Sequence, residues 1–471
     1  MTTTIKLPYI ALVFVLAQAA AMAQNRPNVV CIIVDDLGYH DLACTGSSVY
    51  KTPNIDQLAS QSVVFQKAYA NYPRCVPSRY ALLTAQYPMR NQQVPDDGFF
   101  IGEVPQERNV VMILKNKGYR TAFLGKWHLG DGSSSPDAFG FDVSVAAGKA
   151  GSPMSYFYPF NEPKGSNRNV RKESIEDLDE MAKPGDYLTD VLTGEYLKFL
   201  QQIPSGQPFF AVLSFYAVHQ PLEARPEDVE ANKRRIAAHD FGNGPEYIAE
   251  GTGRTKMRQD NPVYAAMVEN MDWNVGRIMD YLRASGLEQN TIVVFTSDHG
   301  GLSNDGHNRR QLATSNAPLR AGKGWMYEGG LRVPLMFRYP GVLKPRLEKQ
   351  SVVMLMDLFP TLLDMTIQAR MIETDGRSFW PVLQNLRHSA NRELFWHASQ
   401  ARPNNTGESP TSAMRKGPWK LIDYYESDTL ELYHLDRDPS EKHNLAAQFP
   451  KKTSYLKKRL DRWKQSRQLS R

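Results

Sequence analysis

The sequence predicts an α/β fold: a large, doubly wound, mostly parallel sheet flanked by helices, then a small C-terminal antiparallel sheet with one covering helix. Three observations carry this. Continuous apolar, β-branched runs recur, as strands buried on both faces require. Segments of helical period lie between them. Polar clusters follow the strands directly, where open α/β sheets place their sites.

The first run, Val29 to Val34, ends in Asp35-Asp36. Thr52-Pro53-Asn54 then starts a helix, with threonine as the expected cap and proline at the first position; Ile55, Leu58 and Ala59 share one face. A helix is expected over Val110–Lys117, ending at Gly118; strand Thr121–Leu124 follows and runs into GKWHLG. Asp186–Leu200 reads as a helix, and PFFAVLSFYAVHQP as a strand with polar residues at its end. Residues 223–262 are charged and rich in Gly, Pro and Asn, and read as an excursion over the site. Val263–Ala284 is the clearest amphipathic helix, with Tyr264, Met267, Met271, Val275, Ile278 and Leu282 at spacings of three or four. TIVVFTSDHG is another buried strand, ending in Asp298-His299. From about Asn391 short strands separated by turns take over, followed by a helix carrying Leu456, Leu460 and Trp463. The expected units are a leader (1–23), a large domain (24–390) and a C-terminal unit (391–471).

The leader is read from MTTTIKLPYIALVFVLAQAAAMAQ: Lys6, an apolar run from Ile10 to Ala21, then the small-x-small pattern ending at Ala23. A secreted or periplasmic protein cut after Ala23 is expected, with no stable membrane insertion, since no later stretch is apolar for long enough. The net charge of +6, from 56 basic and 50 acidic residues, is mild, and the basic residues are scattered apart from a Lys/Arg-rich tail, so no nucleic-acid footprint is read. Three cysteines leave one over after any pairing. Cys31 suits a strand core, Cys44 a loop, and Cys75, in CVPSRYALLT at the start of an apolar segment, has no evident structural purpose.

Two pairs of metal-ligand type, Asp35-Asp36 and Asp298-His299, lie at strand ends. Carboxylates gathered at one point need a cation, and oxygen-rich ligation favours calcium or magnesium. Arg79, Lys126, His128, His219 and Lys323 would, if gathered, cradle a tetrahedral oxyanion and supply proton transfer.

CVPSRYALLTAQYP (75–88) resembles the signature of the type I sulfatases, in the alkaline phosphatase superfamily. GYRTAFLGKWH (118–128) is similar to the second sulfatase signature; NVVCIIVDDLGY, TPNIDQLA, FTSDHG, the segment Lys323 to Pro334 and WKLI…ELYHLDRDPSEKHNL extend the resemblance along the chain. The resemblance implies that Cys75 is oxidised to formylglycine by a formylglycine-generating enzyme. One hydroxyl of the hydrated aldehyde then attacks a sulfate ester, and the other expels sulfate. It implies a calcium ion, rather than magnesium, on Asp35, Asp36, Asp298, His299 and modified Cys75. Arg79, Lys126 and Lys323 would neutralise the sulfate. His219 or Lys323 would protonate the leaving alcohol, and His128 would accept the later proton.

The implied substrate is a sulfated carbohydrate, with aryl sulfates and phosphonate or phosphodiester substrates as alternatives. A binding protein without catalysis and a thiolate hydrolase using Cys75 are the other readings. Trp127, Trp325, Tyr327 and the aromatics of Tyr156–Phe160 could line a sugar subsite, with core packing the better reading for most of them; His40, which replaces a common glycine of the family, reads as a loop histidine or a substrate contact. Ala85 and Gln86 stand where the family usually has Gly and a basic residue. His299 stands where many members have Asn, and imidazole is an unusual calcium ligand.

Overall fold

A computed structural model describes residues 26–91, 101, 104–162, 174–175, 177–369 and 373–469; the leader expected over 1–23 lies outside them. The large sheet has eight strands: β1 (Asn28–Val34), β2 (Val63–Phe65), β3 (Arg120–Gly125), β4 (Val143–Val145), β5 (Phe209–Phe215), β6 (Thr291–Ser297), β7 (Leu335–Arg338) and β8 (Arg346–Glu348). Their order is β8-β2-β7-β6-β1-β5-β3-β4. Every neighbouring pair is parallel except the two that β7 makes, with β2 and β6.

Alternation along β1 feeds two separate cores. Val29, Cys31 and Ile33 point to one, Val30, Ile32 and Val34 to the other. Burial on both faces is why this strand is apolar throughout rather than alternating. The Val30 face is covered by helices Pro53–Ser60, Leu188–Gln201 and Pro262–Ala284. The last of these starts on Asn261, whose side chain accepts from the amides of Val263 and Tyr264, and has proline next. Thr52, by contrast, does not cap its helix as expected; its hydroxyl accepts from the Ala43 amide and donates to Asp56 instead.

The Cys31 face is covered by helices Cys75–Thr84, Val110–Lys115 and Leu358–Ile367. The same core continues into the C-terminal sheet, a four-stranded antiparallel meander of β9 (Glu393–Ala398), β10 (Thr411–Lys416), β11 (Trp419–Tyr424) and β12 (Thr429–His434). Leu394, Trp396, Met414 and Leu421 of this sheet share it with Leu460 and Trp463 of the covering helix Pro450–Ser466. Trp396 Nε1 donates to the carbonyl of Ala70, tying the C-terminal sheet to the segment that leads into the Cys75 helix. The excursion expected over 223–262 contains a helix, Pro226–Ala237, packed on Pro262–Ala284, and a hairpin whose second strand pairs with Asn304–Asp305.

Strand register decides which residues meet at the sheet's edge. Val34 of β1 lies level with Phe215 of β5 and Ser297 of β6, and Ser214 of β5 is level with Gly125 of β3. Four chain segments therefore leave the sheet side by side at one edge, starting at Asp35, Lys126, Tyr216 and Asp298.

Candidate active site

Gly125 makes the close approach at this edge possible. Its φ is +91°, and a Cβ there would sit 2.0 Å from the carbonyl oxygen of Ser214. Lys126 emerges directly beyond it, fully buried, with its ammonium on Asp35. Asp36 and His128 both adopt left-handed backbone, at φ 59° and 61°, a conformation that costs a residue with a side chain of order 1–3 kcal/mol and gathers at functional sites.

Cys75 is the first residue of its helix, and Arg74 before it provides no side-chain cap. The positive end of the helix dipole favours negative charge at Cys75. Its Sγ lies 3.2 Å from His299 Nε2. The ligating atoms of Asp35, Cys75, Asp298 and His299 all lie within 4.8 Å of one another, as do those of Asp35, Asp36, Cys75 and His219. His299 Nε2 is 3.3 Å from Asp36 Oδ1 and 3.6 Å from Asp298 Oδ1.

Arg79 is one helical turn beyond Cys75. It donates from Nε to Asp298 Oδ2 at 2.9 Å, and from Nη1 to the Lys126 carbonyl at 2.6 Å and the Ser214 hydroxyl at 2.8 Å. Ser78 Oγ donates to the Asp298 carbonyl at 2.6 Å. Lys323 Nζ spans both oxygens of Asp36, at 2.7 and 2.9 Å. His219 Nε2 stands 3.8 Å from Asp36 Oδ2. Tyr156 donates its hydroxyl to the carbonyls of Tyr216 and His219 at 2.7 and 2.9 Å, bracing that loop. All the residues predicted for the chemistry thus meet at one place.

The electrostatics fit an anion at position 75. Burial pushes the Cys75 thiol up, but Lys126, Lys323 and His299 outweigh it and hold the thiol well below its ordinary range. Asp298 is pushed up by burial and by Asp35 beside it. Burial would lower His299, yet Asp298, Cys75 and Asp36 raise it to about 9. Burial holds His128 down at about 4, which leaves it neutral and able to accept a proton. Lys323 is raised by Asp36, against the effect of burial.

Asp35 Oδ1 is buried with no hydrogen-bond partner among the described residues. An orphaned carboxylate oxygen facing two further aspartates is the chemistry of a hard-cation site. The donor set fits a divalent ion on the three aspartates; His299, which carries a proton in this arrangement, would have to release it to ligate.

Several contacts were not legible as motifs. Ser214 lies in an apolar strand, and only the strand register shows it joining Arg79 to the Lys126 carbonyl. Arg310 feels the charge of Asp36, and its Nε is buried without a hydrogen-bond partner among the described residues. Gly300 lets the Asp298 turn pack on the EGG segment, since a Cβ there would lie 1.8 Å from the Gly329 carbonyl oxygen.

Core packing, the better reading of most of the candidate aromatics, holds for five of them. Trp127 is fully buried, with Nε1 on the Ser134 carbonyl, and Trp325 is buried with Nε1 on Thr406. Tyr327 and Tyr156 are equally enclosed, and Phe160 is core. Only Phe157 and Tyr158 of that set are half-buried. His40 packs edge-on against Tyr39 and beneath Gly46, apart from the Cys75 cluster.

Residues 27–368 match the family described as Sulfatase. The chain belongs to the sulfatase family. It is a hydrolase of sulfuric esters, and residues 321–466 further match the C-terminal region of N-sulphoglucosamine sulphohydrolase. This sulfatase is 30% identical to a sulfatase of Formosa agariphila, over 92% of this chain and 87% of that one. It is 27% identical to an N-acetylgalactosamine-6-O-sulfatase of Bacteroides thetaiotaomicron, over 93% of each chain. Among solved structures, Ps i-CgsB in complex with k-i-k-neocarrahexaose superimposes with a TM-score of 0.73 at 27% identity, covering 93% of both chains. Among the described residues no helix is long and apolar enough to cross a membrane.

Proposed function

We propose that this sulfatase removes sulfate from a sulfated oligosaccharide or polysaccharide, with Cys75 converted to formylglycine and a calcium ion held by Asp35, Asp36, Asp298, His299 and the modified Cys75. The observation that carries the reading is the convergence on Cys75. An otherwise purposeless thiol heads a helix and is surrounded by three aspartates, three histidines, two lysines and an arginine. The saccharide class is supported by the N-acetylgalactosamine-6-O-sulfatase and by the neocarrahexaose bound to Ps i-CgsB.

The cation would neutralise the carboxylates and polarise sulfate oxygens. Formylglycine supplies, as its hydrate, a hydroxyl to attack sulfur and a second to expel sulfate, which a plain serine or cysteine lacks. The chain's own groups do the rest. Arg79, Lys126 and Lys323 place fixed positive charge where the sulfate's negative charge must be borne, in a buried setting where it counts most. His219 or Lys323 donates a proton to the departing alcohol oxygen. Neutral His128, beside position 75, accepts the proton released when the aldehyde returns. Oxidation by a formylglycine-generating enzyme precedes folding, since Cys75 is buried afterwards. A leader cut after Ala23 would take the enzyme to the periplasm or outside the cell, where polymeric glycans are met.

The test is sulfate release from a panel of sulfated oligosaccharides, with an aryl sulfate and an aryl phosphodiester as controls. The reading expects the highest kcat/KM on one of the oligosaccharides. An aryl phosphodiester turned over faster than every sulfate ester contradicts it.

A further inference from the structure

A groove of about 950 Å³ lies at the seam between the large domain and the C-terminal sheet. Tyr87, on its wall, follows the C-terminal end of helix Cys75–Thr84. At about 1.5 Å of rise per residue, roughly 15 Å of helix separates it from Cys75, so the groove is not part of the candidate active site.

Its lining is strongly cationic. Arg377, Arg387, Arg392, Lys416, Arg459 and Arg467 face only two lining carboxylates, Asp375 and Glu393. Glu393 is shared by Lys416 and Arg459, Asp375 is taken by Arg467, and Arg392 is held by Asp357 from behind. Exposed Arg377 and Arg387 have no carboxylate partner among the described residues. Aromatic side chains form the floor: Phe395 stacks on Trp463 at 4.9 Å and 7°. Trp463 is buried, and its Nε1 has no hydrogen-bond partner among the described residues.

We infer that this groove is an accessory binding site for a stretch of sulfated saccharide chain. A concave surface with excess positive charge concentrates anions. Guanidinium groups fit the paired oxygens of sulfate bidentately, and a groove of this volume takes a short run of sugars rather than a single ion. Its aromatic rings are enclosed rather than displayed, which disfavours single-stranded nucleic acid, whose bases need open stacking surfaces. The inference builds on the saccharide reading of the active site. Holding a polymer at a remote groove raises the effective concentration of its sulfate esters at Cys75.

The experiment compares the full enzyme with the double variant Arg377→Ser, Arg387→Ser, both exposed and outside the catalytic cluster. Calorimetric binding is measured with dextran sulfate, unsulfated dextran and a single-stranded oligonucleotide of equal charge, beside turnover of a small aryl sulfate. The expected result is a five- to tenfold weaker affinity of the variant for dextran sulfate, with aryl sulfate kcat/KM unchanged within twofold. Neither unsulfated dextran nor the oligonucleotide should bind comparably. Equal dextran sulfate affinity in the two proteins, or equally tight oligonucleotide binding, overturns the inference. The binding arm needs no turnover, so a failure of the groove is distinguishable from a failure of the saccharide-sulfatase reading. If the enzyme releases no sulfate from any saccharide yet the variant loses affinity, the groove stands and the saccharide-sulfatase reading falls.

Discussion

Arg79 Nε donates to Asp298 Oδ2 at 2.9 Å, joining the helix that carries Cys75 to the end of a central strand. The same guanidinium holds the Lys126 carbonyl and the Ser214 hydroxyl, so one side chain fixes three segments of the sheet edge. Both partners of the ion pair are buried. Removing one member of a buried pair leaves the other charge uncompensated and costs about 3–5 kcal/mol. Arg79→Ala should therefore lower both thermal stability and activity. Arg79→Lys should recover little of either, because an ammonium cannot reach three acceptors in a planar fork. Thermal unfolding and sulfate release measured together check this; an active, fully stable lysine variant would contradict it.

A cation bound to the folded enzyme stabilises it by mass action, about 2.7 kcal/mol at a hundredfold excess over Kd. Chelation should lower Tm by several degrees, and calcium should restore it. Asp35→Asn should remove that response, since Asp35 belongs to both groups of converging ligands. Differential scanning fluorimetry with EDTA and added calcium reads the effect. An identical Tm with and without chelator would argue against a resident ion.

His219 and Lys323 are the two candidates for the proton that the alcohol needs. A sugar alkoxide is a poor leaving group, whereas an acidic phenol leaves without help. If His219 is the donor, His219→Asn should slow a saccharide sulfate by about 10²–10⁴ and an activated aryl sulfate far less. Comparing kcat on the two substrates decides it. Equal losses on both would assign His219 to positioning and leave Lys323 as the acid.

Ala85 ends the Cys75 helix with φ 55°, the left-handed conformation in which glycine is the usual C-cap. The left-handed turn costs a residue with a Cβ about 1–2 kcal/mol, and glycine's greater unfolded-state freedom returns part of that. The methyl of Ala85 is fully buried, and its loss costs about 0.8 kcal/mol. Ala85→Gly should therefore leave stability within about 1 kcal/mol and turnover unaltered; a larger shift of the urea midpoint at constant slope would contradict this balance.

The sheet and its site were readable because their signals are local. Val29 to Val34 announces a strand buried on both sides, and Asp35-Asp36 directly after it announces where that strand ends. The gathering of Lys126, His219 and Asp298 comes from the same rule applied to three more strands. What escaped was non-local. Ser214 matters only because β5 and β3 are in one particular register. For Trp127 and Trp325 core packing is the better reading but a sugar contact stays open, because a buried aromatic and an exposed one look alike in sequence; their burial and their hydrogen bonds to Ser134 and Thr406 show that they are core. Thr52 precedes a proline and a helical pattern, as a cap should, but its hydroxyl is taken by Ala43 and Asp56.

The proposed mechanism turns on the chemical state of position 75. Mass spectrometry of the peptide containing Cys75, from active enzyme purified from its native host, tests it most directly. The mechanism predicts a peptide in which the thiol-bearing carbon has become an aldehyde, in a fraction that tracks specific activity and falls to zero with it in the Cys75→Ala variant. Full sulfatase activity in protein whose Cys75 is an unmodified thiol would contradict it.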